Sequence, residues 1–502
     1  MSQESSVIRS IVKPEIKLDD VILEDVFTGT SDELGDQKGV QGRQYQKDTG
    51  TSYPLITVNG YVFKTKEILE FLLDATGFIP TVRFKVLLAD TAVFKSHSMP
   101  KDGDIVSIFI RAKNDAFKPI RNDYVITNVN DSGGGIEGRG STILIEGELY
   151  IKNLRDEIIE SFNGTSFDVL KQVSQKLKMG FATNETSTTD TQNLICAGDN
   201  LFNFIRHVTD HAWKDEKCFY DCFIDVYYHL NFINVNAQVE GEEKLNAAIL
   251  DITGMKDFNS DDNFEEGTQQ QTKKLLTDMA SVSGTNMYIK SYRVVNNSSE
   301  ISRRYGYRSF AQFFDQKSGK TWDIFVDPIV SEGSADKKIL LKGRAYPKKA
   351  DGTAEDDSWI TQNKKYWLGV QYRDVHDKYL YSELWNTRNR EELNKMYIEA
   401  NVERWNPNVY RGEKLPIILI TQDDTLKRVS DATPNESTIP TNETPAVADQ
   451  FYSGFYMVSG MKIMYNMSPE STNYEDPPKE LPPNLYQIFR LSRREWPVPS
   501  TG

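Results

Sequence analysis

Apolar positions along the chain come in short runs divided by turn chemistry, the longest reaching only from about Leu415 to Ile420. A membrane-spanning helix needs roughly 20 such residues in a row, so the pattern predicts a folded chain of strands and short helices. Residues 1–50 show little periodicity beyond Val21–Leu23, and Gly, Asp and Gln crowd positions 29–50. They are expected to form an extended arm that does not fold alone. Order begins at Pro54, where two β segments flank Asn59-Gly60. Both central residues of a type I′ turn need positive φ, which Asn and Gly tolerate, so this dipeptide predicts a tight hairpin. Asp102-Gly103-Asp104 then introduces Ile105–Ile110, and Tyr124–Val129 and Ile143–Ile151 follow around a glycine-rich loop. Closely spaced strands of this kind predict a small antiparallel barrel or sandwich over 51–163.

The period changes at Thr165 or Ser166, either of which can cap a helix carrying Phe167, Leu170, Val173 and Leu177, with Gly180 just past its end. A second helix is predicted from about Asp199, carrying Leu201, Phe202, Ile205, Val208 and Trp213, and a strand pair from Cys218 to Val235. Together these make a small α/β unit over 164–237. Residues 238–284 are acidic and turn-rich, as in Ser260–Gly267, and form a linker or insertion. Strands return in Met287–Val295, Trp322–Val326, Ile339–Ala345, Tyr366–Tyr372, Leu415–Thr421, Phe455–Tyr465 and Tyr486–Leu491. Within them a helix is expected to start at Asn389, with Glu392 in capping-box position ahead of Leu393 and Met396. Residues 422–450 are Asp, Thr, Pro, Asn and Ser rich, a composition that builds no core, and are read as a flexible loop. The predicted class is α+β, mainly β: two small antiparallel β-barrel domains, 51–163 and 285–502, separated by the α/β unit and interrupted by long loops.

Charge narrows the function. The 502 residues carry 73 acidic and 59 basic side chains, a formal net charge of -14. That balance weakens any generic attraction to nucleic acid or anionic membranes. The basic pairs Arg303-Arg304 and Arg493-Arg494 are short enough to be solvated surface. Three cysteines make no disulfide framework and fit a reducing compartment, and the polar start Met1–Ser6 has no secretory pattern. Folding in a cytoplasm is expected.

Candidate chemistry is sparse. Gly133–Gly138 formally matches Gly-x-Gly-x-x-Gly, but a dinucleotide site needs a helix to follow, and Ser141–Glu146 is strand-like. The sharpest constellation is His207, His211, Cys218 and Cys222: two His one helical turn apart and two Cys, the ligand types of tetrahedral zinc. Against zinc, the cysteines alternate with Phe219, Tyr220 and Phe223 as buried strand residues do, and free Cys behaves as a small hydrophobe. Acid pairs such as Asp261-Asp262, Glu265-Glu266 and Glu391-Glu392 sit in linkers or at a helix start, with nothing to single out a glycosidase pair. Neither Gly-x-Ser-x-Gly nor His-Glu-x-x-His occurs. The sequence is therefore read as non-enzymatic, with no catalytic, cofactor-binding or metal residue assigned; a zinc-stabilised module is the remaining chemical alternative.

The stretches Thr165–Asn184, Gly198–Thr209 and Phe223–Asn236 resemble the helical element and closing strand pair that follow the first barrel in contractile-tail phage baseplate hub proteins. Asn59-Gly60 and Pro100–Ile108 resemble the barrel before it, and Phe455–Met461 and Gln487–Trp496 the last strands of the second. The resemblance implies a homotrimer whose three chains present six barrels to a hexameric tail tube and seat a central spike. It further implies contacts with a tube or tube-initiator protein and with surrounding baseplate proteins, no membrane, and DNA only in passage through the channel. The location it implies is the virion tail, assembled in the host cytoplasm. A tube initiator or adaptor of the same fold is the alternative.

Overall fold

The computed structural model describes residues 7–16, 54–64, 67–88, 91–101, 103–110, 119–132, 141–240, 249–250, 287–297, 308–326, 364–394, 396–402, 409–422, 446–448, 452–466 and 484–493. The fold is mainly β. After an N-terminal strand β1 (Arg9–Val12), the first block holds β2 (Leu55–Val58), β3 (Tyr61–Val62), β4 (Ile68–Asp74), β5 (Thr81–Leu88), helix α1 (Thr91–His97), β6 (Ile105–Ile110), β7 (Ile120–Ser132) and β8 (Ser141–Leu149). The hairpin at Asn59-Gly60 forms as expected, with φ of 47° and 78° and Val58 opposite Tyr61. Residues along β5 alternate exposed and buried without a break, the arrangement of a strand with one face on a core.

Next come β9 (Glu157–Gly164), α2 (Ser166–Lys176), β10 (Gly180–Thr183), β11 (Gln192–Asn200), α3 (Leu201–Asp210), β12 (Tyr220–Ile224), β13 (His229–Asn234) and α4 (Val235–Glu240). Thr165 caps α2 in a capping box: its hydroxyl oxygen accepts from the Asp168 N–H, and its own N–H donates back to the Asp168 carboxylate. Replacing Thr165 with Ala is expected to cost about 1 kcal/mol, read as a lowered urea midpoint, with Thr165→Ser near neutral. Strand β1 pairs antiparallel with β10, so the described part of the arm completes the four-stranded sheet β1-β10-β13-β12.

The remaining elements are β14 (Ile249–Leu250), β15 (Met287–Asn296), β16 (Arg308–Asp315), β17 (Lys320–Val326), β18 (Lys364–Gln371), α5 (Tyr379–Asn394), β19 (Met396–Val402), β20 (Lys414–Ile418), β21 (Ile420–Gln422), β22 (Ala446–Ala448), β23 (Gly454–Asn466) and β24 (Asn484–Ser492). Instead of two separate β blocks there is one thirteen-stranded sheet, ordered β20-β14-β15-β19-β24-β23-β4-β5-β8-β7-β6-β2-β3. β20 also pairs with β23, so the pairing through β20, β14, β15, β19, β24 and β23 returns on itself. One hydrophobic core runs beneath both blocks and the α/β unit, from Leu55 through Leu170 and Phe232 to Leu491.

Five expectations need correction. Gly180 does not end α2: the left-handed turn falls on Lys178 (φ 57°), and Gly180 opens β10, where an added Cβ would lie 2.4 Å from the His229 ring. Trp213 lies beyond α3, which stops at Asp210. The run Leu415–Thr421 splits at Leu419, whose backbone N–H and carbonyl are both taken by the Ser453 hydroxyl. Helix α5 begins at Tyr379, ten residues before Asn389, so Asn389 and Glu392 are buried interior residues. Arg493 is not solvated either: it lies over the Tyr456 ring and donates to the Ser453 carbonyl. The candidate strand Ile339–Ala345, the pair Arg303-Arg304 and most of 238–284 and 422–450 lie outside the described residues, as do Gly133–Gly138, Arg494 and the acid pairs at 261–266.

Candidate functional site

Two sets of contacts among the described residues join the parts of the chain. At the first, β23 runs antiparallel to β4, from Lys462 opposite Asp74 to Asn466 opposite Glu70. The Lys462 ammonium lies 3.4 Å from the Asp74 carboxylate, and the Ala75 N–H donates to the Met461 carbonyl at 2.9 Å. Gly460 lets the strands close, because a Cβ there would meet Thr76 at 2.8 Å. Arg411 adds a clamp: its guanidinium donates to the Gly77 carbonyl (2.6 Å) and the Asp221 carboxylate (3.0 Å) and covers the Phe223 ring. One side chain thus ties the C-terminal block to the first block and to the α/β unit.

At the second joint, the polar face of α5 meets the C-terminal end of α3. The last carbonyls of a helix have no partner within it and carry its negative end. Asn386 fills that need, its Nδ2 donating to the Asp210 and Ala212 carbonyls (2.9 and 2.8 Å) while its Oδ1 accepts from the Tyr220 N–H. Ser382 donates to the His211 carbonyl, Trp385 to the Cys218 carbonyl, and Arg390 to the Tyr220 carbonyl. Arg390 also pairs with Asp210. These partners explain why a helix with so many polar residues is buried.

The two candidate zinc histidines sit in this joint, and the cysteine thiols do not gather with them as a ligand set. Tyr379 stacks on His211 with ring centroids 3.6 Å apart and 4° between planes, and its hydroxyl is 2.8 Å from His207 Nε2. His211 Nδ1 donates to the Tyr379 carbonyl, and His376 Nε2 donates to the His211 carbonyl. Burial pushes all three imidazoles toward the neutral form, His211 down to about 3. Cys218 faces Asn234 Nδ2 at 3.1 Å, and burial holds the Cys222 thiol well above its ordinary range. Among the described residues no three His, Cys, Asp or Glu side chains converge as metal ligands. His376 and Tyr379 were not singled out from sequence; the proximity of a second His to an aromatic at 376–379 was the available signal, but nothing local ties it to residue 207.

No helix among the described residues is long and apolar enough to cross a membrane. No protein-family model matches the chain, and no curated protein does. Solved structures with a similar course include the 43 kDa tail protein of prophage MuSo2 from Shewanella oneidensis, at 8% identity and TM-score 0.46 over 88% of this chain and 99% of that one. A tail protein from Neisseria meningitidis MC58 is similar at 9% identity and TM-score 0.43, over 88% of this chain and 96% of that one. The half-lidded PdpA-VgrG complex of Francisella aligns at 9% identity and TM-score 0.37, over 97% of this chain and 66% of its own.

Proposed function

We propose that the chain is a structural, non-enzymatic component of a phage tail, specifically the hub that joins the tail tube to the central spike of a contractile-tail baseplate. The observation that carries this reading is the β4–β23 pairing, which sets two β units of one polypeptide side by side in a continuous sheet. In the proposed division the units are barrels over 51–163 and 285–502, with 164–237 between them and 238–284 as an insertion. Two units per chain let three chains offer six equivalent surfaces to a sixfold tube, the symmetry match that a hub must solve. The joints built by Arg411 and α5 support it, because a ring that transmits force through each subunit needs its units locked together. The proposed partners are two further copies of the chain, the spike, the tube or its initiator, and neighbouring baseplate proteins, with no membrane contact. The net charge of -14 suits a channel wall past which DNA moves without sticking.

Light scattering on the purified chain at micromolar concentration is expected to give three times the 57.4 kDa chain mass, with threefold rings in electron micrographs. A monomer at every concentration removes the hub, and a sixfold ring favours a tube initiator or adaptor.

A further inference from the structure

A mainly polar cavity of about 130 Å³ lies where the end of α5, the β12–β13 hairpin and strands β23 and β24 meet. It is too small for a drug-sized ligand, which needs about 300 Å³ or more. It is well above the roughly 10–15 Å³ that admits a water, so a small ion fits. Three arginines, Arg390, Arg411 and Arg490, line it against a single carboxylate, Asp221. Two of the three are committed. Arg390 pairs with Asp210 and donates to the Tyr220 carbonyl at 3.0 Å. Arg411 is divided between the Asp221 carboxylate and the Gly77 carbonyl, at 3.0 and 2.6 Å.

Arg490, on β24, differs. Its guanidinium lies 4.0 Å from the centre of the Tyr397 ring, a contact made through the face of the guanidinium plane. The N–H groups at the edge of that plane have no acceptor among the described residues. Nε is sealed inside, whereas the terminal Nη1 and Nη2 groups are not sealed, and Arg490 lines the cavity. Glu399 stands directly across from it on β19, but that carboxylate pairs with Arg293. Neither Glu399 nor Glu391 comes within ion-pair distance, although both act on Arg490 through space. Burial pushes the Arg490 pKa below its ordinary value, and the charge of Arg411 adds to the shift. A guanidinium cannot relieve that cost by losing its proton at neutral pH. The unmatched charge is relieved only by an anion.

We propose that this cavity binds a small oxyanion, a phosphate or a carboxylate, held by the terminal N–H groups of Arg490. Arg390 and Arg411 contribute positive field from the same wall. The guanidinium fork presents paired donors at the spacing of two oxyanion oxygens, which a point charge such as an ammonium does not. The same chemistry arrives either as a free inorganic ion or as an acidic side chain of a partner protein. The position also gives the ligand a structural effect. Its wall joins the α/β unit to the C-terminal block beside the Arg411 clamp, so a bound anion adds to that joint. The proposal does not depend on the hub reading, and its test is blind to oligomeric state.

The test uses the full chain labelled with methyl-13C methionine, with Met457 as reporter at the cavity wall and Met461 and Met464 as controls that do not line it. The probes are sodium phosphate and an aspartate capped at both ends, each compared with sodium chloride at matched ionic strength. At least one probe is expected to move the Met457 methyl resonance saturably where chloride does not, with the control methyls in place. Arg490→Met keeps an apolar stem without the charge and should weaken that response about tenfold or more, the loss of a charge-assisted hydrogen bond. Control methyls at their wild-type positions show that the variant is folded. Arg155→Met removes an arginine that does not line the cavity and should leave the response unchanged. A Met457 signal indifferent to both probes, or moved equally by chloride, overturns the proposal. Equal affinity in Arg490→Met does so too, as does an equal loss in Arg155→Met. A response to phosphate alone assigns the site to a free inorganic anion, and a response to the capped aspartate assigns it to an acidic side chain of a partner.

Discussion

Glu392→Ala is expected to destabilise the protein by about 3–5 kcal/mol, the cost of leaving one member of a buried ion pair unmatched. Arg388 and Glu392 lie one turn apart on α5, 2.9 Å from each other, with side chains only 6% and 2% exposed. A capping-box Glu at a helix start, the role the sequence suggested, would cost only about 1 kcal/mol when lost. Urea unfolding followed by tryptophan fluorescence separates the two, since Trp385 on this helix packs with Trp213 in one core cluster. The paired replacement Arg388→Met with Glu392→Leu should recover most of the loss, because apolar groups of similar size replace a buried pair at little cost. A paired variant as unstable as Glu392→Ala would show that the pair is not the source of the effect.

The second large effect is with acid. His211 is neutral in the fold, its imidazole pushed down to about 3 by burial and by the neighbouring His207, against an ordinary value of 6.5. The unfolded chain therefore takes up a proton below pH 6.5 that the folded chain refuses until about 3. A depressed histidine contributes stability that is complete above 6.5 and is lost as pH falls toward 3. At pH 5 the loss from His211 alone is about 2 kcal/mol. His207 and His376 are shifted the same way by burial, so the slope is steeper than one residue gives. Asp210 and Asp199 work against the shift at His207, and Asp190 and Asp377 at His376, while Lys317 adds to it there. Glu383, 3.9 Å from His211, is itself held toward its neutral form by burial and offers less compensation than its distance suggests. Thermal unfolding between pH 7.5 and 5 should show the decline, and His211→Gln should remove about 2 kcal/mol of it across that window. An unchanged slope in His211→Gln would place the acid sensitivity elsewhere.

Local chemistry was legible wherever it decided its own outcome. Asn59-Gly60 made its hairpin because only residues tolerant of positive φ fit there, and Thr165 capped α2 because the bond it makes is to residues three away. Helix α5 shows the opposite case. Ser382, Asn386, Asn389 and Glu392 interrupt any apolar stripe, so periodicity began the helix ten residues late. Asn386 bonds the Asp210 and Ala212 carbonyls and the Tyr220 N–H, and Ser382 the His211 carbonyl, all more than 160 residues away; only the Tyr379 and Trp385 carbonyls taken by Ser382 and Asn389, and the Arg388 guanidinium beside Glu392, are near in sequence. The zinc candidates failed to gather for a related reason. His207 and His211 share a helix end, but the side chain that engages both is Tyr379, more than 160 residues away, and Cys218 and Cys222 lie on or beside a strand whose core they fill.

What the chain alone determined is a mainly β protein with an acidic balance, a helical unit near its middle and no motif of known chemistry, because composition and nearest-neighbour patterning depend only on residues close in sequence. Tertiary structure decided that the two β blocks share one sheet, that the arm becomes the edge of another, and that polar residues of α5 are buried. Each of those outcomes rests on hydrogen bonds across more than 160 residues, between groups whose need for a partner is visible in the sequence but whose partner is not.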